Sequence, residues 1–179
     1  MKGPSFSLQP FSPTSPLISL KITGKIARCS NTLALRYSLL GPLAELLIPA
    51  PADIPARKNE LWKETCFECF LAVRGSPTYW EFNLSPAGHW NVYRFAAYRQ
   101  GMREEKVFTS MDFTVQKQSE SLLLDVEINL DKIIQEKQSL EVGLSAVITL
   151  RGGELTYWAL THGGKQADFH RRDSFVVKL

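Results

Sequence analysis

The chain lacks any long apolar run. Across its 179 residues no stretch approaches the ~18 consecutive apolar residues of a membrane span, so no membrane partner is expected. The opening "MKGPSFSLQPFSPTSPLISLK" has no continuous apolar segment, because Ser and Pro interrupt it throughout. No secretory signal is therefore expected, and the expected location is cytoplasmic. Charge of one sign is also scarce. Net charge is +3, from 21 basic and 18 acidic residues, and no Lys/Arg block or stripe stands out, which argues against a nucleic-acid partner. Cysteine is limited to Cys29, Cys66 and Cys69, an odd count that speaks against a disulfide framework.

What is present is an ordinary globular composition, 44% hydrophobic and 22% charged, long enough for one domain, 1–179, with a sizeable core. Strand signals dominate. "LISLKITGKIA" and "TLALRYSLLG" are alternating or apolar runs divided at Ser30–Asn31. A proline-rich connection follows Gly41, with one helical turn expected at Leu43–Leu47. Further strands are expected at Cys66–Val73, Tyr79–Leu84 and Trp90–Phe95, then in "MDFTVQKQ", "SLLLDVEINL", "LEVGLSAVITL", "ELTYWALTHGG" and "SFVVKL", with one helical turn in "DKIIQEKQ". In "SLLLDVEINL", Leu122, Leu124, Val126, Ile128 and Leu130 share one face. About ten short strands with Gly-, Pro- and Ser-rich turns indicate an all-β fold, an antiparallel β-sandwich of jelly-roll type.

"CFEC" has the CxxC spacing of metal and redox sites, but its setting "TCFECFLAV" reads as a strand. Residues three apart in a strand point to opposite faces, ~10 Å apart, and cannot share a metal or a bridge. The two thiols are read as small buried hydrophobes.

The segment "YWEFNLSPAGHWNVYRFAAYRQGM" holds seven of the nineteen aromatic residues, with Glu81, Asn83, Asn91 and Arg94 among them. Parity sorts it. If Arg74 pairs with Tyr79, then Phe67, Cys69, Leu71 and Val73 share a face with Trp80, Phe82 and Leu84. Glu68 and Phe70 then share the other face with Glu81 and Asn83. A one-residue slip would bury both polar groups among apolar ones, so this parity is favoured. The same register puts Glu81 ~13 Å along the strand from Glu68. Paired glycosidase carboxylates lie ~5–9.5 Å apart, so a glycosidase is disfavoured. In the second hairpin, a five-residue "SPAGH" loop would set Asn91 and Tyr93 beside Asn83 and Glu81. A loop one residue different would set Trp90 and Arg94 there. Either way a polar face carries a ring, a combination suited to a sugar's C–H face and hydroxyls. An ordinary Glu81–Arg94 ion pair over a core of rings is the plain alternative.

Three blocks, "LWKETCFECFL", "YWEFNLSPAGHWNVYRFAAYRQGM" and "TYWALTHGGKQADFHRRDSFVVKL", resemble the DOMON-like domains, bacterial proteins related to type nine carbohydrate-binding modules. The resemblance rests on Trp62 before Cys66-Phe67-Glu68, on Glu81-Phe82-Asn83 with Ser85-Pro86 and Gly88, and on Trp158 with Asp168-Phe169-His170. It implies a sandwich of antiparallel sheets that binds a carbohydrate or sugar-like ligand without catalysis. It further implies a sugar held between two tryptophans, here Trp62 and Trp158, with Glu68, Glu81, Asn83, Trp90, Arg94 and His162 as further ligand-binding candidates. No cofactor is expected. His162, Asp168 and His170 are weak metal candidates, because three or four ligands must converge on one point. Two other readings stand beside sugar binding. Some DOMON domains bind haem, for which His89, His162, His170, Met102 and Met111 are the available axial ligands. A ring-bearing sheet face can also pair with another protein.

Overall fold

The computed structural model describes residues 3–12 and 19–179. Twelve strands run through them: β1 (Ser5–Pro10), β2 (Lys21–Cys29), β3 (Thr32–Leu40), β4 (Cys66–Val73), β5 (Tyr79–Leu84), β6 (Trp90–Phe95), β7 (Arg103–Glu104), β8 (Phe113–Lys117), β9 (Ser121–Asn129), β10 (Leu140–Thr149), β11 (Leu155–Ala159) and β12 (Val177–Lys178). Every pair of them is antiparallel, in the order β7-β6-β5-β4-β10-β11-β1-β2-β3-β9-β8, with β12 beside the start of β10. The path folds over at β1. Ser5–Leu8 pair with β2, whereas Gln9 and Pro10 pair with β11, so one strand serves both layers.

The two layers face each other across an apolar core. Ile22, Ile26, Leu33, Leu35 and Leu39 enter it from one layer, and Phe67, Cys69, Leu71, Phe82, Leu84 and Leu144 from the other. Tyr37 on β3 ties the layers together. Its ring lies 5.1 Å from that of Phe67, and its hydroxyl donates to the Glu68 carbonyl at 2.6 Å. That bond satisfies the one polar atom this large buried side chain brings inside. The β9 alternation holds, with Leu122, Leu124, Val126, Ile128 and Leu130 all buried.

Most expected strands are present, and two short ones are additional. β1 is polar and ends in proline, yet Phe6 and Leu8 alternate into the core. β7 has two residues and pairs only with β6. Of the first expected run, residues 17–18 lie outside the described residues. The expected turn at Leu43–Leu47 is a 3-10 turn over Leu43–Glu45. That in "DKIIQEKQ" closes through the Ile134 amide on the Leu130 carbonyl.

The β4–β5 hairpin corrects one expectation. Ala72 pairs with Tyr79, Phe70 with Glu81 and Glu68 with Asn83, two residues away from an Arg74–Tyr79 register. An even slip preserves the faces, so the sorting of core and outer residues stands. The connection is longer than expected because Gly75 turns at φ +79° and the Ser76 amide closes on the Val73 carbonyl. Gly75 has open space around it, so its left-handed conformation is what calls for glycine there. In the next hairpin Leu84 pairs with Trp90, so the loop is the five-residue Ser85–His89 version, with Asn83 opposite Asn91 and Glu81 opposite Tyr93.

Candidate functional site

These registers align a polar row across the outer face of the second layer. Ser145, Glu68, Asn83 and Asn91 are successive cross-strand partners on β10, β4, β5 and β6. All four are buried. Glu81 stands in the adjoining row, one strand over and two positions along from Glu68. Diagonal neighbours of this kind lie ~7–8 Å apart at Cα, within reach of two long side chains. The ~13 Å separation that disfavoured a glycosidase therefore does not hold.

Two segments cover this face. The 3-10 turn Leu61–Lys63 follows Glu60 at φ +61° and sets Trp62 edge-on against Tyr93, with ring centroids 5.6 Å apart. From the other side the C-terminal segment lays His170 and Phe175 over Phe70 and Tyr79. Gly143 allows that approach, because a Cβ there would sit 2.8 Å from the Phe175 ring. Between the two coverings remains a cavity of about 400 Å³ whose lining includes Trp62, Glu68, Glu81, Arg99, Tyr157 and His170. Hollows of about 680 and 900 Å³ lie elsewhere, but neither contains a tryptophan or a buried titratable side chain.

The acid groups are partly satisfied. Asn83 Nδ2 donates to Glu81 Oε1 at 2.8 Å, and Ser145 Oγ donates to Glu68 Oε2 at 3.1 Å. Among the described residues their other oxygens have no protein donor within hydrogen-bond distance; His170 Nε2 stays 3.9 Å from Glu81 Oε2. Burial pushes both carboxyls up. Glu81 rises to about 7, with the Asn83 bond and the Arg99 charge opposing. Glu68 rises well above the ordinary range, first through burial and then through the Glu81 charge. Two adjacent carboxylates in a site of low polarity retain protons rather than ionise together.

The rim is fixed by a small polar network. Asp168 accepts from Tyr98 at 2.5 Å and from Arg99 at 2.9 Å. Burial alone would raise its carboxyl, but these bonds outweigh it and hold the group below its usual value. Arg99 sits at φ +52°, and its amide donates to the Tyr79 hydroxyl. That hydroxyl therefore turns its own proton to His170 Nδ1, 2.9 Å away, which places the ring's N–H on Nε2, toward the cavity. Burial, and then the Arg99 charge, drive the His170 ring down to about 4, so it is neutral at neutral pH.

The structure brings Trp62, Glu68 and Glu81 together at the cavity, with Asn83 supporting Glu81. It places the other candidates elsewhere. Trp158 is buried in the core between the layers, its indole N–H donating to Thr156 Oγ1 at 3.0 Å. Its neighbour Tyr157 is the ring that lines the cavity. Trp90 is also core, with the Arg57 guanidinium 4.3 Å over its ring. Arg94 pairs across from Trp80, not Glu81, and lies 5.8 Å over that indole, so no Glu81–Arg94 ion pair forms. His162 contacts the Gln9 carbonyl at 2.8 Å and packs on Phe11. Among the described residues no three His, Cys, Asp or Glu side chains converge as metal ligands. Asp168 and His170 instead belong to the rim. Cys66 and Cys69 are free and buried, Cys69 in the core and Cys66 with its Sγ 4.0 Å from Asn83 Oδ1 on the outer face.

Tyr157, Arg99 and Phe169, which line the cavity, and Ser145, which donates to Glu68, were not anticipated as ligand-binding residues. Tyr157 carried a signal, since it alternates with Trp158 in an expected strand, but nothing local says which ring faces in.

No family model matches this chain, and no curated protein matches it. Solved structures do resemble it in fold. A protein from Bacteroides uniformis, described as a "putative carbohydrate-binding protein", superposes with a TM-score of 0.65 at 12% identity, over 96% of this chain and 83% of that one. A family 9 carbohydrate-binding module from Caldicellulosiruptor kristjanssonii, in complex with cellotriose, gives 0.53 at 8% identity, over 91% and 75%. The module from the same organism in complex with glucose gives 0.50 at 9% identity, over 88% and 76%. The chain shares the β-sandwich fold of these carbohydrate-binding modules.

Proposed function

We propose that this chain is a non-catalytic carbohydrate-binding domain, a jelly-roll sandwich of the DOMON-like kind, that takes a sugar in the outer-face cavity. One observation carries this reading: the paired carboxyls Glu68 and Glu81 lie in a cavity that also has Trp62 and Tyr157 in its lining. The carboxyls accept hydroxyl hydrogen bonds, Arg99 and the His170 Nε2–H donate them, and the rings meet the C–H face of a pyranose. Trp62 and Tyr157 form the aromatic clamp, in place of Trp62 and Trp158. The fold neighbours that hold cellotriose and glucose support the same ligand class. Affinity is weak, about −4 to −8 kcal/mol, because few contacts offset the cost of immobilising a hydrated ligand.

A hydrolase reading is favoured by the diagonal placement of the two carboxyls. It is the weaker one. Both acids rise from the same sheet face, so they meet a ligand from one side rather than flanking a glycosidic bond. Thermal-shift and calorimetric titration with glucose, cellobiose and xylose test the proposal, since a ligand that binds the native state raises its melting temperature. Saturable stabilisation is expected, with the ligand concentration it needs raised about tenfold in Trp62→Ala. Absence of binding by any sugar overturns the proposal, and turnover of an aryl glycoside overturns its non-catalytic part.

A further inference from the structure

The cations around the cavity are already taken. Arg99 is paired with Asp168 at 2.9 Å, and Lys63 with Glu60 at 2.7 Å. His170 is neutral near pH 7 because burial drives its ring down. Glu68 and Glu81 receive only neutral donors, Ser145 and Asn83. Each is more than nine-tenths buried, at 2% and 4% exposure, yet each keeps one oxygen with no protein donor. Those oxygens are not sealed off. The fully buried side-chain atoms without a partner, among the described residues, are Arg28 Nε, Thr149 Oγ1 and Arg172 Nε. Glu68 and Glu81 therefore present two oxygens to the cavity with no cation paired to them, since Arg99 acts on Glu81 only from its place beside Asp168, and the pair holds protons in place of a counter-ion.

Resting on the sugar-binding reading, we propose that this cavity selects a cationic sugar, a protonated hexosamine or a residue of its polymer, over neutral sugars. The ammonium group supplies the charge that Glu68 and Glu81 lack: on binding, one retained proton leaves to solvent and the ammonium donates to the freed carboxylate oxygens in its place. In a partly desolvated site such a pairing outweighs the hydroxyl–carboxylate bond that a neutral sugar makes at the same place. The rings of Trp62 and Tyr157 reinforce the preference, since aromatic faces attract an ammonium as well as a C–H face.

The test is calorimetric titration of the full chain at about pH 6.5 with glucose, glucosamine and N-acetylglucosamine, the last keeping the nitrogen but not the charge. Glucosamine is expected to bind about tenfold or more tighter than either neutral sugar. That preference is expected to fall to about twofold in Glu81→Gln, and in Glu68→Gln should the first variant fail to fold. Equal binding of glucosamine and glucose overturns the charge preference while leaving sugar binding intact, as does a preference that survives both substitutions. Binding of no sugar removes both proposals together.

Discussion

Strands β4, β5 and β6 present two faces of opposite character from one stretch of backbone. Inward they send Phe67, Cys69, Leu71, Phe82, Leu84, Trp90 and Val92 into the core. Outward they send Glu68, Glu81, Asn83 and Asn91 among the rings of Phe70, Tyr79, Tyr93 and Phe95, all just as buried. Burial therefore does not distinguish the faces; hydrogen-bond capacity does. The inner side chains lose nothing on leaving water and gain about 25 cal/mol for each Å² of apolar area covered. The polar outer ones need partners, and Glu68 and Glu81 are left with unpartnered oxygens and retained protons. A sheet face that carries such a cost without a ligand points to one.

The sharpest way to break the comparison is to exchange the roles expected of two neighbouring rings. Trp158→Ala empties a core site and should cost about 3–5 kcal/mol in urea unfolding. Tyr157→Ala, one residue away on the exposed side, should cost about 1 kcal/mol or less. A Trp158→Ala loss as small as that of Tyr157→Ala would mean that Trp158 is not a core residue.

The next effect is electrostatic. Burial raises the Glu81 carboxyl to about 7 in the folded state, against ~4.3 in the unfolded chain. Below pH 4 both states are protonated and the group is neutral to stability. As pH rises through 4.3 the unfolded state releases its proton while the native state keeps it, so stability falls until about pH 7 and then levels. Glu81→Gln removes that fall. At pH 8 the variant should exceed wild type by about 3–4 kcal/mol, and at pH 4 the two should agree within about 0.5 kcal/mol. Unfolding midpoints across pH 4–8 measure it. A variant less stable at pH 8 would show that the Glu81 carboxylate is well accommodated.

Trp62→Ala tests the outer face for binding rather than folding. It should weaken sugar affinity about tenfold, roughly 1.4 kcal/mol, with a smaller change in stability. Unchanged affinity would move the ligand away from the cavity.

These contrasts also show what could be read before the fold was known. Alternation fixes faces, so the inner and outer sets of β4 and β5 follow from residue order alone. It does not fix offset. A two-residue slip leaves every face unchanged yet brings Glu81 from four positions to two from the partner of Glu68, and it depends on how Gly75 and Ser76 shape the turn. The choice between Tyr157 and Trp158 was likewise open, because β11 has a ring on each face. Only its pairing beside β10 and the opposing layer decide which is covered. Arg99 and Phe169 come from segments with no periodicity: Arg99 is held by its bonds to Tyr79 and Asp168, and Phe169 by packing on Tyr157.

The smallest effect concerns how that covering is held. Asp168 joins the C-terminal segment to the loop before β7 through Tyr98 and Arg99. The bonds outweigh burial and leave its carboxyl below the usual value. Its contribution is therefore present above the unfolded value near 3.9 and lost as pH falls through the lower folded one. The Arg99 side chain is half exposed, at 52%, so solvent screening keeps the gain under about 1 kcal/mol. Asp168→Asn should lower stability by that small amount at pH 7, and by progressively less as pH falls through the folded value. Its larger consequence should fall on the outer face, because Arg99, freed of its anion, turns its charge toward Glu81. Glucosamine affinity should then drop while glucose affinity changes little. A drop of equal size for both sugars would mean instead that Asp168 holds the shape of the cavity, and that its charge is balanced within the rim.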